Sequence, residues 1–547
     1  MTDTAAGESH HTPRPWAKLA PEGRTWDVIV VGSGIGGMTT AAALAKNGKR
    51  VLVLEQHYVP GGYTHEFRRQ GFHWDVGVHL VGEMTERSLT GRILSALTNH
   101  DLRWDPIGPV YDSFWYPDDF KIGFPDNPTR FAEVLKEAFP NDGRDIDAYL
   151  AEVRGTVNAM RGYYVDRALP GWASKGVGGW VSGAAQRALA TPTADVLKRL
   201  IRNDKLRTVV AGQWGYHGAV PSRASWGLHA SIVRHFTYGA YYPVGGASQI
   251  AKTLLRTVAE AGGWTRICAD VQEIVLEGGR AVGVKMVDGE VIRAGAVVSA
   301  IGAIPTIERL LPPEVRDAQW TQGIRKTPSG PAHVCLYLGF EGDIASVGAT
   351  RPSHWYYNTW DHEQATWNAE PGKPLPAPDI VFTSFPSLKD PAYDPGPKLK
   401  HTGEMITFVP YDTFAKWRGT PWRKRGAEYD DFKAAMTDSL LGKLYDHVPG
   451  LKDKLVHQEL ATPISTELFV RPHRGSIYGL DHVPERFAQS WLRPRSPVPG
   501  LFLSGSDVSS GGVAGAMMGG LLCAIAMEPI RTMRWLGPVA RGNVAGR

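Results

Sequence analysis

The strongest pattern in the chain stands near its start. Asp27-Val-Ile-Val-Val31 opens with an unbroken apolar run of the kind shown by a parallel strand buried on both faces. Residues 35–47, with Ala41, Ala42, Ala43, Leu44 and Ala45, predict a helix whose small side chains allow close packing, and Gly48 is placed to end it. Val51-Leu-Val-Leu54 then predicts a second strand, which completes a βαβ unit. After Pro243-Val-Gly-Gly246 comes a helical pattern with Ile250, Leu254, Leu255 and Val258 on one face, closed by Gly262 and Gly263. Alternating segments at 271–276 and 281–293, joined through Glu277-Gly-Gly-Arg280 and turned at Asp288-Gly289, predict antiparallel strands. Ala296-Val-Val-Ser-Ala300 returns as a buried strand. Between these stretches, 110–235 shows mixed helical patterning, whereas 310–460 is rich in proline and tryptophan and resists a period.

This order predicts an α/β fold in which a Rossmann-like nucleotide lobe is interleaved with an α+β substrate lobe. The nucleotide lobe is expected from 26–110, 240–308 and 460–535, and the substrate lobe from 111–239 and 309–459. Residues 1–25 read as a loose arm and 536–547 as a tail. A length of 547 residues suits two lobes rather than one core.

Composition narrows the classes. With 43% hydrophobic and 21% charged residues the chain is an ordinary globular protein, and its net charge of +5 is spread without a tract that would follow a phosphate backbone. Nucleic acid is therefore not an expected partner. Cys268, Cys335 and Cys523 are far apart and form no CxxC pair, which fits a reducing compartment and no thiolate metal site. His229 and His235 do not match HExxH, so no metal site is expected. No signal peptide is read at the N-terminus, and the longest apolar stretch, Val513 to Met527, falls short of the roughly 20 residues that span a bilayer. A cytoplasmic protein is expected, with the 18 tryptophans suited to peripheral membrane contact.

The chemistry sits at two glycine turns. Gly32-Ser33-Gly34-Ile-Gly36-Gly37 lies between the first strand and first helix, where Gly32 allows the turn, Gly34 admits a pyrophosphate and Gly37 lets helix approach strand. Glu55 ends the second strand, with 17 residues between it and Gly37, placed for ribose hydroxyls, with Gln56 beside it. Far along the chain, Pro499-Gly-Leu-Phe-Leu-Ser-Gly505-Ser-Asp507 reads as a strand and glycine turn leading into Gly511-Gly-Val513-Ala514-Gly-Ala and an apolar helix. Asp507 is placed for ribityl hydroxyls, and the N–H groups around Val513 and Ala514 for the flavin edge that gains charge on reduction. A packed helix crossing is the alternative use of these glycines. Gly61 and Gly62, with the stretch Gly71 to His79, are expected to line the same ligand, while Asp75 suits a turn cap equally. The two turns together select non-covalent FAD over NAD, which makes the nucleotide lobe an FAD-binding domain.

Several further stretches carry a family resemblance: GSGIGG with LEQH and GGYTHEF, GFHWDVGVHLVG, GQWGYHGAVPSRASWGLHA with YYPVGGASQIA, RPHRGSIYGLDH, and GLFLSGSD. From about 26 to 530 the chain resembles the flavoproteins that include retinol saturase, carotenoid isomerase and the bacterial phytoene desaturases, within the amine-oxidase-like superfamily. The resemblance implies FAD contacts at Gly32, Ser33, Gly34, Gly37, Glu55, Gly62, Val271, Gly505 and Asp507. It also implies an FAD-dependent oxidoreductase that saturates or desaturates carbon–carbon bonds of a hydrophobic isoprenoid or polyene, with an external electron donor or acceptor. Tyr63, Ser506 and Gly512 depart from the pattern. Rival readings are a non-redox cis–trans isomerase using reduced FAD, an amine oxidase, and a flavin-containing lipid-binding protein. Addition or removal of two hydrogens needs a proton carrier as well as the flavin. His79, His229, His235, Tyr241 and Tyr242 are the candidates; Tyr241 and Tyr242 are favoured for their place at the lobe junction, and His229 follows them because histidine titrates near neutral pH.

Overall fold

The computed structural model describes residues 14–364 and 366–542. Its first sheet has eight strands. At its centre Trp26–Val31 pairs in parallel with Val51–Leu54 on one side and with Val291–Ser299 on the other. The predicted helix between the first two strands is observed as Ile35–Lys46, and the later one as Ser248–Glu260. Strand Val291–Ser299 explains its own sequence. Its first half alternates between exposed and half-buried and pairs antiparallel with Arg280–Met286, whereas Val297–Ser299 is fully buried between Trp26–Val31 and the parallel strand Leu501–Leu503. The switch from alternation to an apolar run marks the step from a one-sided hairpin into a sheet covered on both faces.

The second sheet has seven strands, in the order Leu455–Ala461, Ala332–Glu341, Lys400–Val409, Ile380–Ser384, Ser353–Tyr357, Val110–Trp115 and Lys121–Pro125. Helices Gly143–Ala168 and Trp226–Phe236 share a core with one face of it, through Tyr149, Val233, Trp355, Phe382 and Phe408. Helix Ala427–His447 covers the other, where Phe432 and Leu440 join Val334, Leu336 and Met405. This two-sided cover is why 310–460 showed no period. Val334 and Leu336 point one way and Cys335 and Tyr337 the other, yet all are buried, so the strand reads as a continuous apolar run.

Two ends of the chain differ from expectation. Within the supposed loose arm, Trp16–Ala17 forms a strand parallel to Trp264–Arg266, and Ile267 N–H donates to Ala17 O at 2.9 Å. The arm covers backbone groups that an edge strand would otherwise leave unpaired. Residues 1–13 lie outside the described residues. At the other end helix Pro529–Ala540 runs through the start of the expected tail, with Leu536 and Val539 buried and Trp535 Nε1 donating to Asn47 Oδ1 at 3.0 Å. Only 543–547 of that tail fall outside the described residues.

The two glycine-rich helices meet at backbone distance. A Cβ on Gly36 would stand 2.3 Å from Gly505 Cα, one on Gly519 2.1 Å from Gly505 O, and one on Gly520 2.4 Å from Gly36 O. Thr40 Oγ1 bridges Gly36 O, Gly520 O and Ser504 Oγ within 3.0 Å. Helix Gly512–Met527 is thereby locked against Ile35–Lys46, and the C-terminal glycines serve the helix crossing as well as the turn.

The core also stores neutral imidazoles. Burial pushes His229, His333 and His362 each down to about 4. In the unfolded chain they titrate at the ordinary histidine value, so between about pH 6.5 and 4 the unfolded state binds more protons than the folded one. Their contribution to stability is whole above that window and lost as pH falls through it. Urea midpoints should accordingly drop between pH 7.5 and pH 5, and His362→Gln should flatten the drop; a midpoint flat over that range would show that these rings ionise freely in the folded protein.

Candidate flavin and substrate cleft

One long cleft runs from the C-terminal ends of the parallel strands, at Val31, Leu54 and Ala300, to the face of the second sheet at Trp355, Phe382 and Phe408. The carboxyl ends of parallel strands are where open α/β sheets bind ligands. Gly32 there has φ +96°, and its N–H donates to Leu54 O at 2.8 Å. A Cβ on Gly37 would stand 2.1 Å from Gly32 O, so Gly37 serves helix–strand packing and does not line the cleft. Gly34 is the reverse case. Nothing lies within 4 Å of a Cβ built on it, and the same holds for Gly505 and Gly512.

Glu55 is 7% exposed, and three hydrogen bonds hold it: Ser33 N–H and Ser33 Oγ donate to Oε2 at 2.9 and 2.5 Å, and His57 N–H donates to Oε1 at 2.8 Å. Ser33 Oγ also accepts from Gly61 N–H at 3.0 Å, tying the glycine pair to the first turn. Asp507 braces three segments. Its Oδ2 accepts from Ala303 N–H at 2.7 Å and its Oδ1 from Leu480 N–H at 2.9 Å, which leaves each oxygen one further acceptor direction. The start of helix Gly512–Met527 is held by His482, whose Nε2 accepts from Gly511 N–H at 2.8 Å while Nδ1 faces His217 O at 2.9 Å. Burial keeps His482 well below the usual imidazole range, so it stays neutral and able to accept.

Of the fourteen residues expected to hold the cofactor, Gly32, Ser33, Gly34, Gly36, Glu55, Gln56, Gly61, Gly62, Val271, Gly505, Asp507 and Val513 line this cleft, and Gly37 and Ala514 do not. The open space at Gly34, Gly505 and Gly512, between two helix N-termini and beside Glu55, fits a dinucleotide whose phosphates need N–H donors and no side chain in the way.

The expected proton carriers fare differently. Tyr242 is buried and donates its hydroxyl to Asp75, which also accepts from Ala247 N–H at 3.1 Å; Asp75 is thus a structural brace. Tyr241 packs against the core of the first lobe. His229 faces His217 Nε2 at 3.3 Å and Val210 O at 3.2 Å, and His235 accepts from Gly82 N–H at 2.9 Å. None of the four lines the cleft, whereas His79 does. The second half of the cleft is built from residues of the expected substrate lobe that the sequence did not single out: Tyr216, His333, Trp355, Ile380, Phe382, Ile406 and Phe408. They come from separate strands and a short turn, and no local signal distinguishes them from packing residues.

The model of the family described as flavin containing amine oxidoreductase matches residues 35–527. The chain belongs to that family. It is an FAD-dependent oxidoreductase, and the cleft residues named above would hold that FAD, which would supply the hydride chemistry. An all-trans-retinol 13,14-reductase of Danio rerio is 31% identical over 91% of this chain and 85% of its own length. The human protein of that name is 30% identical over 92% and 85%. A chloroplastic prolycopene isomerase of an Oncidium hybrid is 26% identical over 92% and 84%. Among solved structures, an oxidoreductase of Methanosarcina mazei has a TM-score of 0.58 at 16% identity, covering 90% of this chain and 99% of its own. Wild-type putrescine oxidase bound to putrescine has a TM-score of 0.59 at 15% identity, covering 93% and 99%. These structures establish the shared fold.

Gly34→Val tests the cradle directly, because the new side chain enters only open space and the fold should survive. The variant should keep its circular dichroism and lose nearly all FAD occupancy. Acid precipitation of the wild type should release its whole flavin complement; a yellow pellet would reveal a covalent bond.

Proposed function

We propose that this enzyme saturates or desaturates a carbon–carbon bond in a hydrophobic isoprenoid or polyene, of the retinoid or carotenoid class. The observation that carries the reading is the continuity of the flavin cradle with an apolar slot walled by Trp355, Ile380, Phe382, Ile406 and Phe408. Such a wall gains from burying a polyene and offers little to a charged amine. The acidic residues lining the cleft, Glu55, Asp270 and Asp507, all lie at the strand ends and turns of the first sheet, away from that slot. The names of the relatives point the same way.

The substrate would be drawn from lipid. Among the described residues no helix is long and apolar enough to cross a membrane. Helix Gly171–Ala190 instead presents Trp172 and Trp180 at 81% and 92% exposure, with Val177 and Lys175 beside them. We assign this face to a membrane surface, where an indole can sit at the headgroup level and a lysine can meet anionic lipid.

The decisive assay mixes anaerobically reduced protein with all-trans-retinol or a carotenoid. The flavin should reoxidise and the product should be heavier by two hydrogens. A product of unchanged mass but altered retention identifies an isomerase, and a flavin spectrum indifferent to every polyene removes the enzymatic reading. For the membrane face, Trp172→Ser with Trp180→Ser should lower flotation with anionic liposomes about tenfold; equal flotation would move the contact elsewhere.

A further inference from the structure

Behind the apolar wall lies buried charge that the flavin cradle does not use. Glu404, on strand Lys400–Val409, is fully buried, and its Oε2 lies 2.9 Å from His79 Nδ1. Despite that approach neither Glu404 oxygen nor His79 Nδ1 has an aligned hydrogen-bond partner. Buried polar atoms left in that state are rare and call for an explanation. His79 lines the cleft, its ring 5.0 Å from that of Phe382. With Nδ1 turned to Glu404, Nε2 is the nitrogen left for the cleft.

Other polar groups along the wall are already engaged. Tyr63 donates to Ser476 O at 2.8 Å, Tyr478 to Gly215 O at 3.1 Å, and Tyr216 to both oxygens of Asp112. His65 Nδ1 faces Gly62 O at 2.5 Å, and His473 Nδ1 faces Ser329 Oγ at 2.6 Å. His333 lines the cleft with its own Nδ1 unpartnered but without a carboxyl at hand. Among the described lining residues, His79 alone presents one ring nitrogen to the cleft and sets the other against a buried carboxyl.

The surroundings fix which protons this pair carries. Burial pushes the Glu404 carboxyl well above the usual carboxylate range, an effect that Lys389 and His73 only partly offset. Burial, reinforced by the Lys389 charge, pushes His79 down to about 3. Lys389 Nζ donates to His79 O at 3.0 Å and to Ser353 Oγ and Ser384 Oγ at 2.8 Å, and its charge also faces Asp112 and Asp75. His333 is the remaining titratable neighbour of His79. Both shifts favour the form in which the carboxyl holds a proton beside a neutral imidazole. A neutral imidazole is a weak acid by itself, but it releases its Nε2 proton readily when Nδ1 takes another in the same event.

We propose that His79 is the catalytic proton carrier of the cleft and Glu404 the positioning residue that recharges it, a role that rests on the carbon–carbon reaction proposed above. In the saturating direction the reduced FAD held by the cradle would supply a hydride to one alkene carbon, and the π electron pair would move to its neighbour. That neighbour forms a C–H bond with the proton leaving His79 Nε2, while the Glu404 proton passes to Nδ1. Two electrons and two hydrogens are added to the substrate, the hydride donor would end oxidised, and the pair is reset when Nε2 takes a proton from water in the cleft and the Nδ1 proton returns to the Glu404 carboxylate. Desaturation runs the same transfers backwards.

Stopped-flow reoxidation of the reduced, FAD-loaded protein by all-trans-retinol or a carotenoid tests the role. His79→Gln and Glu404→Gln should each slow it about a hundredfold or more, and the double variant should be no slower than His79→Gln. FAD occupancy and melting temperature should stay near wild type. A second reading needs no turnover. In 15N-histidine spectra of the FAD-loaded protein His79 should appear as a single neutral tautomer protonated at Nε2, and Glu404→Leu should release it to a mixture. Rates within about threefold of wild type in His79→Gln, or a His79 signal indifferent to Glu404→Leu, would overturn the role while leaving the reaction standing. A wild type that no polyene reoxidises overturns the reaction, and this role with it.

Discussion

Everything in this enzyme's site hangs on the contact between helix Ile35–Lys46 and helix Gly512–Met527, two segments separated by most of the chain. Their backbones touch because Gly36, Gly505, Gly519 and Gly520 carry no side chains, and a single Cβ at Gly36 or Gly519 would fall within 2.3 Å of backbone atoms of Gly505. That approach sets the two helix N-termini side by side at the ends of the parallel strands. A dinucleotide with two phosphates and a ring system that gains negative charge on reduction needs this concentration of free N–H groups and positive dipole ends. The contact is made by close packing pinned by the Thr40 and Ser504 hydroxyls, so it tolerates no enlargement.

Around it, buried polar side chains act as rivets for irregular backbone. Glu55 fixes Ser33 and His57, Asp507 fixes Ala303 and Leu480, Asp75 fixes Tyr242 and Ala247, and His482 fixes Gly511. Each satisfies backbone or hydroxyl donors that would be costly to bury unpaired. Turns near a ligand cannot be held by sheet ladders, so carboxylates and a neutral imidazole hold them instead. The same low dielectric that strengthens these bonds raises the proton affinity of Glu404 and lowers that of His79, which gives an apolar cleft access to a proton without exposing a charge in it.

The sequence by itself determined the half of the molecule that carries the two glycine turns. Its signals are local: a buried apolar strand, a glycine turn and a small-residue helix occupy neighbouring positions, and Glu55 follows at the distance one βαβ unit imposes. The second glycine segment was legible for the same reason, although the share of its glycines that serves helix packing was not, because the partner surface lies hundreds of residues away.

Tertiary structure alone decided the substrate side. Tyr241, Tyr242 and His229 stand at suggestive places in the sequence, yet their polar atoms or rings are taken up by Asp75, His217 and the core of the first lobe. The wall that faces the flavin cradle comes instead from Trp355, Phe382, Ile406 and Phe408, brought together by strand pairing in a sheet buried on both faces. In such strands nearly every position is buried, so the pattern that betrays an exposed face is erased, and which side chain meets the ligand depends on register and order across the sheet. His79 and Glu404 lie 325 positions apart and meet only because those strands pack against the loop that follows the first lobe's opening unit.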